Sequence, residues 1–234
     1  MMNANSVDTD GKWVYRVGGI SAIVFGIAYI AIMALYLPLG GVPTGVEAWF
    51  AQTSTHTTEW WAILGLSVLT DFLLVPIALA VYLALKGINR NAMLLAVAFM
   101  GLFVVLDLAL TWTNIAALII LSGGYAAASS EAQRAAFLTA AIYPSTIIET
   151  NLTFIYNSLT LAVGILLTGL VMFKGIFSKA SAYIALATGA LGIVAVTSSF
   201  FSNSVSSVAI ILAAVLTTVW VFFVGFKLNR LSRR

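Results

Sequence analysis

Residues 60–121 read WWAILGLSVLTDFLLVPIALAVYLALKGINRNAMLLAVAFMGLFVVLDLALTWTNIAALIIL. The stretch contains two long apolar runs, Trp60–Leu85 and Ala92–Leu121, separated by the short polar turn Gly87–Asn91. About 20 helical residues cross the hydrocarbon core of a bilayer, so each run is long enough to span it. Because the runs are continuous and lack the alternation of a barrel strand, they predict two antiparallel transmembrane helices.

Four further apolar runs of similar length complete the pattern. Over the whole chain 62% of the 234 residues are hydrophobic and 8% are charged, whereas a soluble domain carries about 25% charged residues. We therefore predict an all-α, polytopic integral membrane protein, a bundle of six transmembrane helices with short loops. The other four predicted spans are Val17–Leu37, Thr150–Phe173, Ser181–Phe201 and Val205–Phe226.

The predicted organisation is a single transmembrane domain between two short tails. Residues 1–16 form an N-terminal tail, residues 17–226 the six-helix domain, and residues 227–234 a basic C-terminal tail. With six spans both tails lie on the same side of the membrane, and we expect that side to be cytoplasmic.

The distribution of basic residues supports this orientation, because cytoplasmic loops are enriched in Lys and Arg. Among the chain's 11 basic residues, Arg134 alone falls on the other side. A missed or falsely predicted span would have placed basic residues on both sides of the membrane. The asymmetry therefore supports the predicted number of helices as well. The basic residues on the predicted cytoplasmic side are Lys12, Arg16, Lys86, Arg90, Lys174, Lys179, Lys227, Arg230, Arg233 and Arg234.

The predicted outer loops contain two recognisable features. Residues 129–143 carry a Ser N-cap and an acidic first turn, which predict a short interfacial helix on the outer surface, ended by Pro144. The first outer loop places Trp49, Trp60 and Trp61 near the membrane boundary, where tryptophan is common in the headgroup region.

Composition argues against several functional classes. The chain has no cysteine and one histidine, so it lacks the paired ligands of a membrane haem or a His-rich metal centre. The sequence indicates no cofactor and no metal site, and no Gly-rich phosphate loop is visible. The net charge is +3, but the basic residues are scattered in pairs at helix ends rather than gathered on one face. We therefore expect membrane lipids as partners and no nucleic acid.

Two aspartates within the spans are the main candidates for function, because ionisable groups are costly in a membrane. Asp71 lies 18 residues before residue 89, the centre of the turn, and Asp107 lies 18 residues after it. At 1.5 Å per residue both lie about 27 Å from the turn, hence at the same depth. No Lys, Arg or His lies in any span to neutralise them, so we expect at least one of the two to be protonated.

Neighbouring polar residues extend the candidate site. Thr111 and Asn114 follow Asp107 at i+4 and i+7, which predicts a common helix face. Glu149 and Asn157 lie at the start of the fourth span. Together with the aspartates these side chains predict an outward-opening polar pocket that binds a solute or protons. Asp, Asn and Thr side chains also hold helix bundles together through hydrogen bonds, so a purely structural role is the alternative.

Small residues recur at four-residue spacing in two spans. Gly18, Ala22 and Gly26 do so in the first, and Ser181, Ala185 and Gly189 in the fifth. This spacing lets helix backbones approach closely. It fits contacts within the chain and equally contacts between protomers, so a homo-oligomer remains open.

Three stretches resemble a known family. Residues 16–19 read RVGG, residues 74–86 read LVPIALAVYLALK, and residues 170–178 read LVMFKGIFS. In these motifs the chain resembles the bacterial and archaeal multi-pass membrane proteins of the domain-of-unknown-function 4386 family. The resemblance implies six membrane-spanning helices and a prokaryotic inner or plasma membrane. It implies no activity and assigns no site residues.

The leading functional hypothesis is a membrane protein that binds or translocates a small solute or protons through the polar pocket. The first alternative is a non-catalytic structural or sensory membrane component. A third reading is an intramembrane lipid-modifying or hydrolytic enzyme using the two aspartates as a dyad. It lacks the surrounding sequence motif of such enzymes, so an enzyme is the less favoured class.

Overall fold

A computed structural model describes residues 11–233 of the chain. The first ten residues of the predicted N-terminal tail, and Arg234 in the C-terminal tail, lie outside the described residues. Within that range all regular structure is helical, which confirms the predicted all-α class. The α-helices are α1 Lys12–Tyr36, α2 Val46–Thr55, α3 Thr57–Leu85, α4 Arg90–Leu106, α5 Thr113–Ala127, α6 Glu131–Glu149, α7 Asn151–Met172, α8 Lys179–Ser198 and α9 Asn203–Ser232.

In the described part of the chain six helical segments are long and apolar enough to cross a membrane, as predicted, and the protein is a multi-pass membrane protein. Five are α1, α3, α7, α8 and α9. The sixth is the continuous stretch Arg90–Ala127, in which a π-helical segment, Asp107–Trp112, joins α4 to α5. The majority of the helix ends lie outside the predicted span boundaries. α1 begins within the predicted N-terminal tail, and α9 continues through most of the predicted basic tail.

The six spans form a closed ring. Going round it, α1 contacts α3, α3 contacts α4, α4 contacts α7, α7 contacts α8, and α8 contacts α9, which packs back on α1. Polar side chains cap many of these helices: Asn89, Ser178 and Ser202 each accept a hydrogen bond from a backbone N–H in the first turn of α4, α8 and α9. Such caps satisfy donors that have no partner within the helix.

Glycines set the close contacts between neighbouring spans. A Cβ at Gly18 would lie 2.8 Å from the carbonyl oxygen of Pro76 in α3, and one at Gly189 would lie 2.7 Å from the carbonyl oxygen of Ala162 in α7. The small-residue spacings in the first and fifth spans therefore serve contacts within the chain, as one of the two interpretations predicted.

The two ends of the ring differ. The basic end carries the described parts of both terminal regions and the turns that precede α4 and α8. The opposite end, called the loop end here, carries α2 and α6. There a second apolar cluster, which includes Trp49, Trp60 and Leu118, joins α2, α3 and α5. Trp49 and Trp60 are 0% exposed, with ring centroids 5.0 Å apart, so they form core rather than the predicted headgroup contacts.

The helix predicted on the outer surface is present, but Pro144 does not end it. Ser130 caps its start, accepting a hydrogen bond from Gln133, and the helix runs through the proline to Glu149. A proline inside a helix removes one backbone donor and crowds the preceding turn, which usually kinks or ends the helix, so other contacts must offset this cost. Packing holds this part of the helix in place, because Ala141, Pro144 and Ser145 are all buried. α6 packs along α5.

Candidate functional site

The π-helical segment is the local feature that builds the site. Its i→i+5 hydrogen-bonding pattern inserts an extra residue into the turn, a geometry frequent at functional sites. The N–H and hydroxyl groups of Thr113 both donate to the carbonyl oxygen of Leu108, five residues earlier. The segment begins at Asp107. The wide turn therefore starts at the intramembrane carboxylate itself.

This turn brings Trp112 back over Asp107. The indole Nε1 of Trp112 donates to Asp107 Oδ2 at 2.9 Å. In an α-helix residues five apart do not share a face, so sequence spacing gave no sign of this contact. The contact depends on the π-helical turn, which the residue types of Asp107–Trp112 do not indicate.

The π-helical segment also changes which of the predicted residues share a helix face with Asp107. Thr111 stays beside Asp107, but Asn114 turns away: its Nδ2 donates at 2.7 Å to the carbonyl oxygen of Leu110 in its own helix. The cavity that Asp107 and Thr111 line, described below, includes neither Asn114 nor Asp71 in its wall. The α-helical spacing predicted a shared face for Asp107, Thr111 and Asn114, and only the first two keep it.

Asn157 on α7 joins the fourth span to the third. Its Nδ2 donates to Asp107 Oδ1 at 2.7 Å and to Thr111 Oγ1 at 2.6 Å. Both oxygens of Asp107 are thus hydrogen-bonded, although the residue is only 9% exposed. This network matches the predicted grouping of Asp107, Thr111 and Asn157.

Asp71 lies on α3 beside this network. It is 4% exposed, and the carboxyl groups of Asp71 and Asp107 are near enough to interact electrostatically. The equal-depth prediction from the turn between the two spans agrees with this proximity. Asp71 Oδ2 is buried and has no hydrogen-bond partner among the described residues. An unpartnered buried carboxylate oxygen is costly unless a proton or another donor reaches it.

Glu149 lies apart from the aspartates. Its carboxylate is exposed and accepts a hydrogen bond of 2.7 Å from the backbone N–H of Gly45. Gly45 has a positive φ of 83° and immediately precedes α2. A negative charge at a helix N-terminus is favourable. Glu149 therefore fastens the loop before α2 instead of joining Asp71 and Asp107.

A cavity of about 420 Å³ lies between the spans, next to the network. Its polar wall carries Tyr29, Tyr36, Asp107, Thr111 and Asn157, and most of the remaining lining is apolar. The size is within the range of ligand sites, about 300–1,000 Å³. Every span except α3 contributes to the lining.

The cavity extends from the loop end towards the middle of the ring. Tyr36 is the last residue of α1, and Phe154 lies in the first turn of α7. Ile165, also in the lining, lies 14 residues after the start of α7, which corresponds to about 21 Å along the helix. Tyr29 and Tyr36 were not among the predicted site residues, although their separation of two helical turns places them on one face.

Two oxygens on residues that line this cavity are buried and lack a hydrogen-bond partner within residues 11–233. They are Asn157 Oδ1 and Thr188 Oγ1, and Thr188 is only 3% exposed. Because the amide nitrogen of Asn157 is used by Asp107 and Thr111, its oxygen remains as an acceptor. No family model, curated protein or solved structure matches this chain.

Proposed function

We propose that this protein binds a small solute in the cavity beside Asp107 and moves it across the membrane, with a proton held by Asp71 and Asp107. The solute carries a hydrogen-bond donor on a mainly apolar body. The proposal places the protein in the inner or plasma membrane of a prokaryote, with both termini cytoplasmic, because the basic residues cluster at one end. The cavity then opens outward.

The observation that carries the proposal is the unpaired acceptor of Asn157. Burying an amide oxygen without a partner costs about 1–3 kcal/mol. Thr188 Oγ1 is a second buried oxygen with no hydrogen-bond partner among the described residues. In this proposal a hydroxyl or amine group of the solute donates to one of these oxygens, while the apolar lining accommodates the rest of the molecule.

The unpaired oxygen of Asp71 supports the proton-linked part of the proposal. A proton on the aspartate pair relieves both the repulsion between the two carboxylates and the cost of burying them. Solute binding and protonation are then linked through Asn157, because it contacts Asp107 and also borders the cavity.

The competing function is a structural or sensory component in which the polar network only holds the spans together. The completed hydrogen bonds of Asp107 favour it, since such bonds also stabilise membrane bundles. The two functions differ in one measurable respect. A transport site takes up protons and solute, whereas a structural network contributes only to stability.

The first experiment measures proton uptake by purified protein in liposomes after a pH step across neutrality. The parent is compared with Asp71→Asn, Asp107→Asn and the double variant, with folding checked by thermal melting. We expect uptake to fall in either single variant. Unchanged uptake together with a lower melting temperature would favour the structural function.

The second experiment tests the solute class with probes of matched size, benzyl alcohol and toluene, by ligand-observed NMR. We expect benzyl alcohol to bind about threefold to tenfold more tightly to the parent, since one neutral hydrogen bond contributes about 0.5–1.5 kcal/mol. Thr188→Val should reduce that preference. Equal binding of the two probes to parent and variant would exclude a donor-selective cavity.

A further inference from the structure

A second groove lies at the basic end, between α1 and α9. Two adjoining cavities there share Phe226, Asn229 and Arg233, and the larger has a volume of about 460 Å³. Arg16 from α1 lines the larger one, and Arg230 lines the other. The groove is separate from the cavity beside Asp107, with which it shares no lining residue.

The positive charge in this groove is not neutralised by the described part of the chain. Within residues 11–233 no carboxylate pairs with Arg16, Arg230 or Arg233, and all three are exposed. The carboxylates of that range lie within the spans or at the loop end, at Glu47, Glu59, Asp71, Asp107, Glu131 and Glu149. Within residues 11–233 the groove therefore presents a concentrated positive charge to an anion.

Apolar side chains continue the groove towards the middle of the membrane. Ile20 and Ile23 follow Arg16 by one and two helical turns, and Phe226 precedes Arg233 by seven residues, about 10 Å along α9. Phe226 is 65% exposed. Charge at the end of the span and apolar surface below it match the two parts of a phospholipid, its headgroup and its acyl chains.

The floor of the groove is fixed by close helix packing. A Cβ at Gly19 would lie 2.7 Å from Asn229 Oδ1, and one at Gly225 would lie 3.1 Å from the carbonyl oxygen of Gly19. α1 and α9 are therefore in direct backbone contact beside the arginines. A preformed groove loses little conformational entropy when a ligand binds.

We infer that the groove between α1 and α9 is a binding site for one anionic phospholipid. Arg16, Arg230 and Arg233 bind the phosphate of the headgroup, and an acyl chain lies along Ile20, Ile23 and Phe226. The apolar half of the groove selects a lipid over free phosphate, because inorganic phosphate leaves that half uncovered. Arginine suits the headgroup because its planar fork binds phosphate through two parallel hydrogen bonds.

The test is native mass spectrometry of the purified full-length protein, titrated with phosphatidylglycerol or with phosphatidylcholine of the same acyl chains. We expect one phosphatidylglycerol to remain bound preferentially. Each arginine near a charged lipid surface contributes about 1 kcal/mol, so Arg16→Gln should weaken phosphatidylglycerol binding roughly fivefold. The double variant that combines Arg16→Gln and Arg233→Gln should weaken it further.

The matched control is Arg134→Gln, which removes the same charge at the loop end, where Arg134 pairs with Glu131 at 2.9 Å. It should leave the preference for phosphatidylglycerol intact. Phe226→Ala should weaken binding of both lipids, because it removes an acyl-chain contact while keeping the arginines.

Three outcomes would overturn the inference. The first is an Arg16→Gln variant, folded by thermal melting, that retains phosphatidylglycerol as well as the parent does. The second is equal weakening by Arg134→Gln, which would indicate a general charge effect. The third is displacement of bound lipid by inorganic phosphate at millimolar concentration with no effect of Phe226→Ala, which would indicate a simple anion site.

Discussion

The six helices pack differently in the basic half and in the loop half of the ring. In the basic half, α1 lies against α3 and α9 through glycines, with backbone oxygens at van der Waals distance. In the loop half, the spans separate around a cavity of about 420 Å³ lined partly by polar groups. The two halves therefore differ in packing: close helix contacts hold the ring together at the basic half, whereas the loop half encloses a cavity.

The largest expected effect breaks the close-packed half. Gly18→Val places a side chain against Ala80 and the backbone of Pro76, and overpacking of this kind costs about 3 kcal/mol. The control is Gly65→Val, because a Cβ at Gly65 meets nothing within 4 Å. Thermal melting in detergent should show a large decrease for Gly18→Val only. Similar melting of the two variants would contradict the contact between α1 and α3.

The next effect concerns the polar wall of the open half. Asn157→Leu removes the hydrogen bonds to Asp107 and Thr111, and bonds to a charged group contribute about 1.5–3 kcal/mol. Asn114→Leu is the control, since its Nδ2 bonds only within its own helix. We expect Asn157→Leu to lower the melting temperature more. The reverse order would argue against the network between α7 and the π-helical segment.

A pair of threonines contrasts the two halves directly. Thr188, which lines the cavity, has a hydroxyl with no hydrogen-bond partner among the described residues, whereas Thr168, which is 0% exposed, donates to the carbonyl oxygen of Gly164 at 2.8 Å. Thr188→Val should stabilise the protein by about 1 kcal/mol, and Thr168→Val should destabilise it by a similar amount. Differential scanning calorimetry measures both. A loss of stability in both variants would mean that Thr188 already has a partner.

The smallest expected effect is local to the loop end. Glu149→Ala removes the acceptor of the Gly45 N–H and should cost about 0.3–1 kcal/mol. We expect faster amide hydrogen exchange at Gly45 with little change in melting. Glu149→Gln retains a side-chain oxygen and should keep that exchange slow. Unchanged exchange in Glu149→Ala would exclude a role for Glu149 in fastening the loop.

The spans could be predicted from the sequence because the hydrophobicity of the residues in each run adds up to one strong signal. Each run contributes some twenty apolar residues, and the resulting six-helix architecture agrees with the structure. Equal depth of Asp71 and Asp107 was also predictable, since a short turn fixes the register of the two spans it joins. Residue separation along a regular helix was enough for both inferences.

The rest depended on departures from regular geometry. The π-helical segment brings Trp112 onto Asp107 and carries Asn114 away, and no residue type in Asp107–Trp112 indicates the extra residue. Pro144 was expected to end a helix that tertiary packing continues. Trp49 and Trp60 were expected at the headgroups, but Trp49 lies on α2, a helix not predicted from the sequence, and its ring packs on Trp60 in the core.

The closed ring has a consequence for how the protein is made. Spans leave the ribosome in chain order, so α1 enters the membrane before its neighbour α9 has been synthesised. Until α9 arrives, the face of α1 that carries Gly19 has no partner, and the cavity beside Asp107 lacks the wall formed by Ala213 and Thr217. The cavity beside Asp107 is therefore completed only once α9 has been inserted.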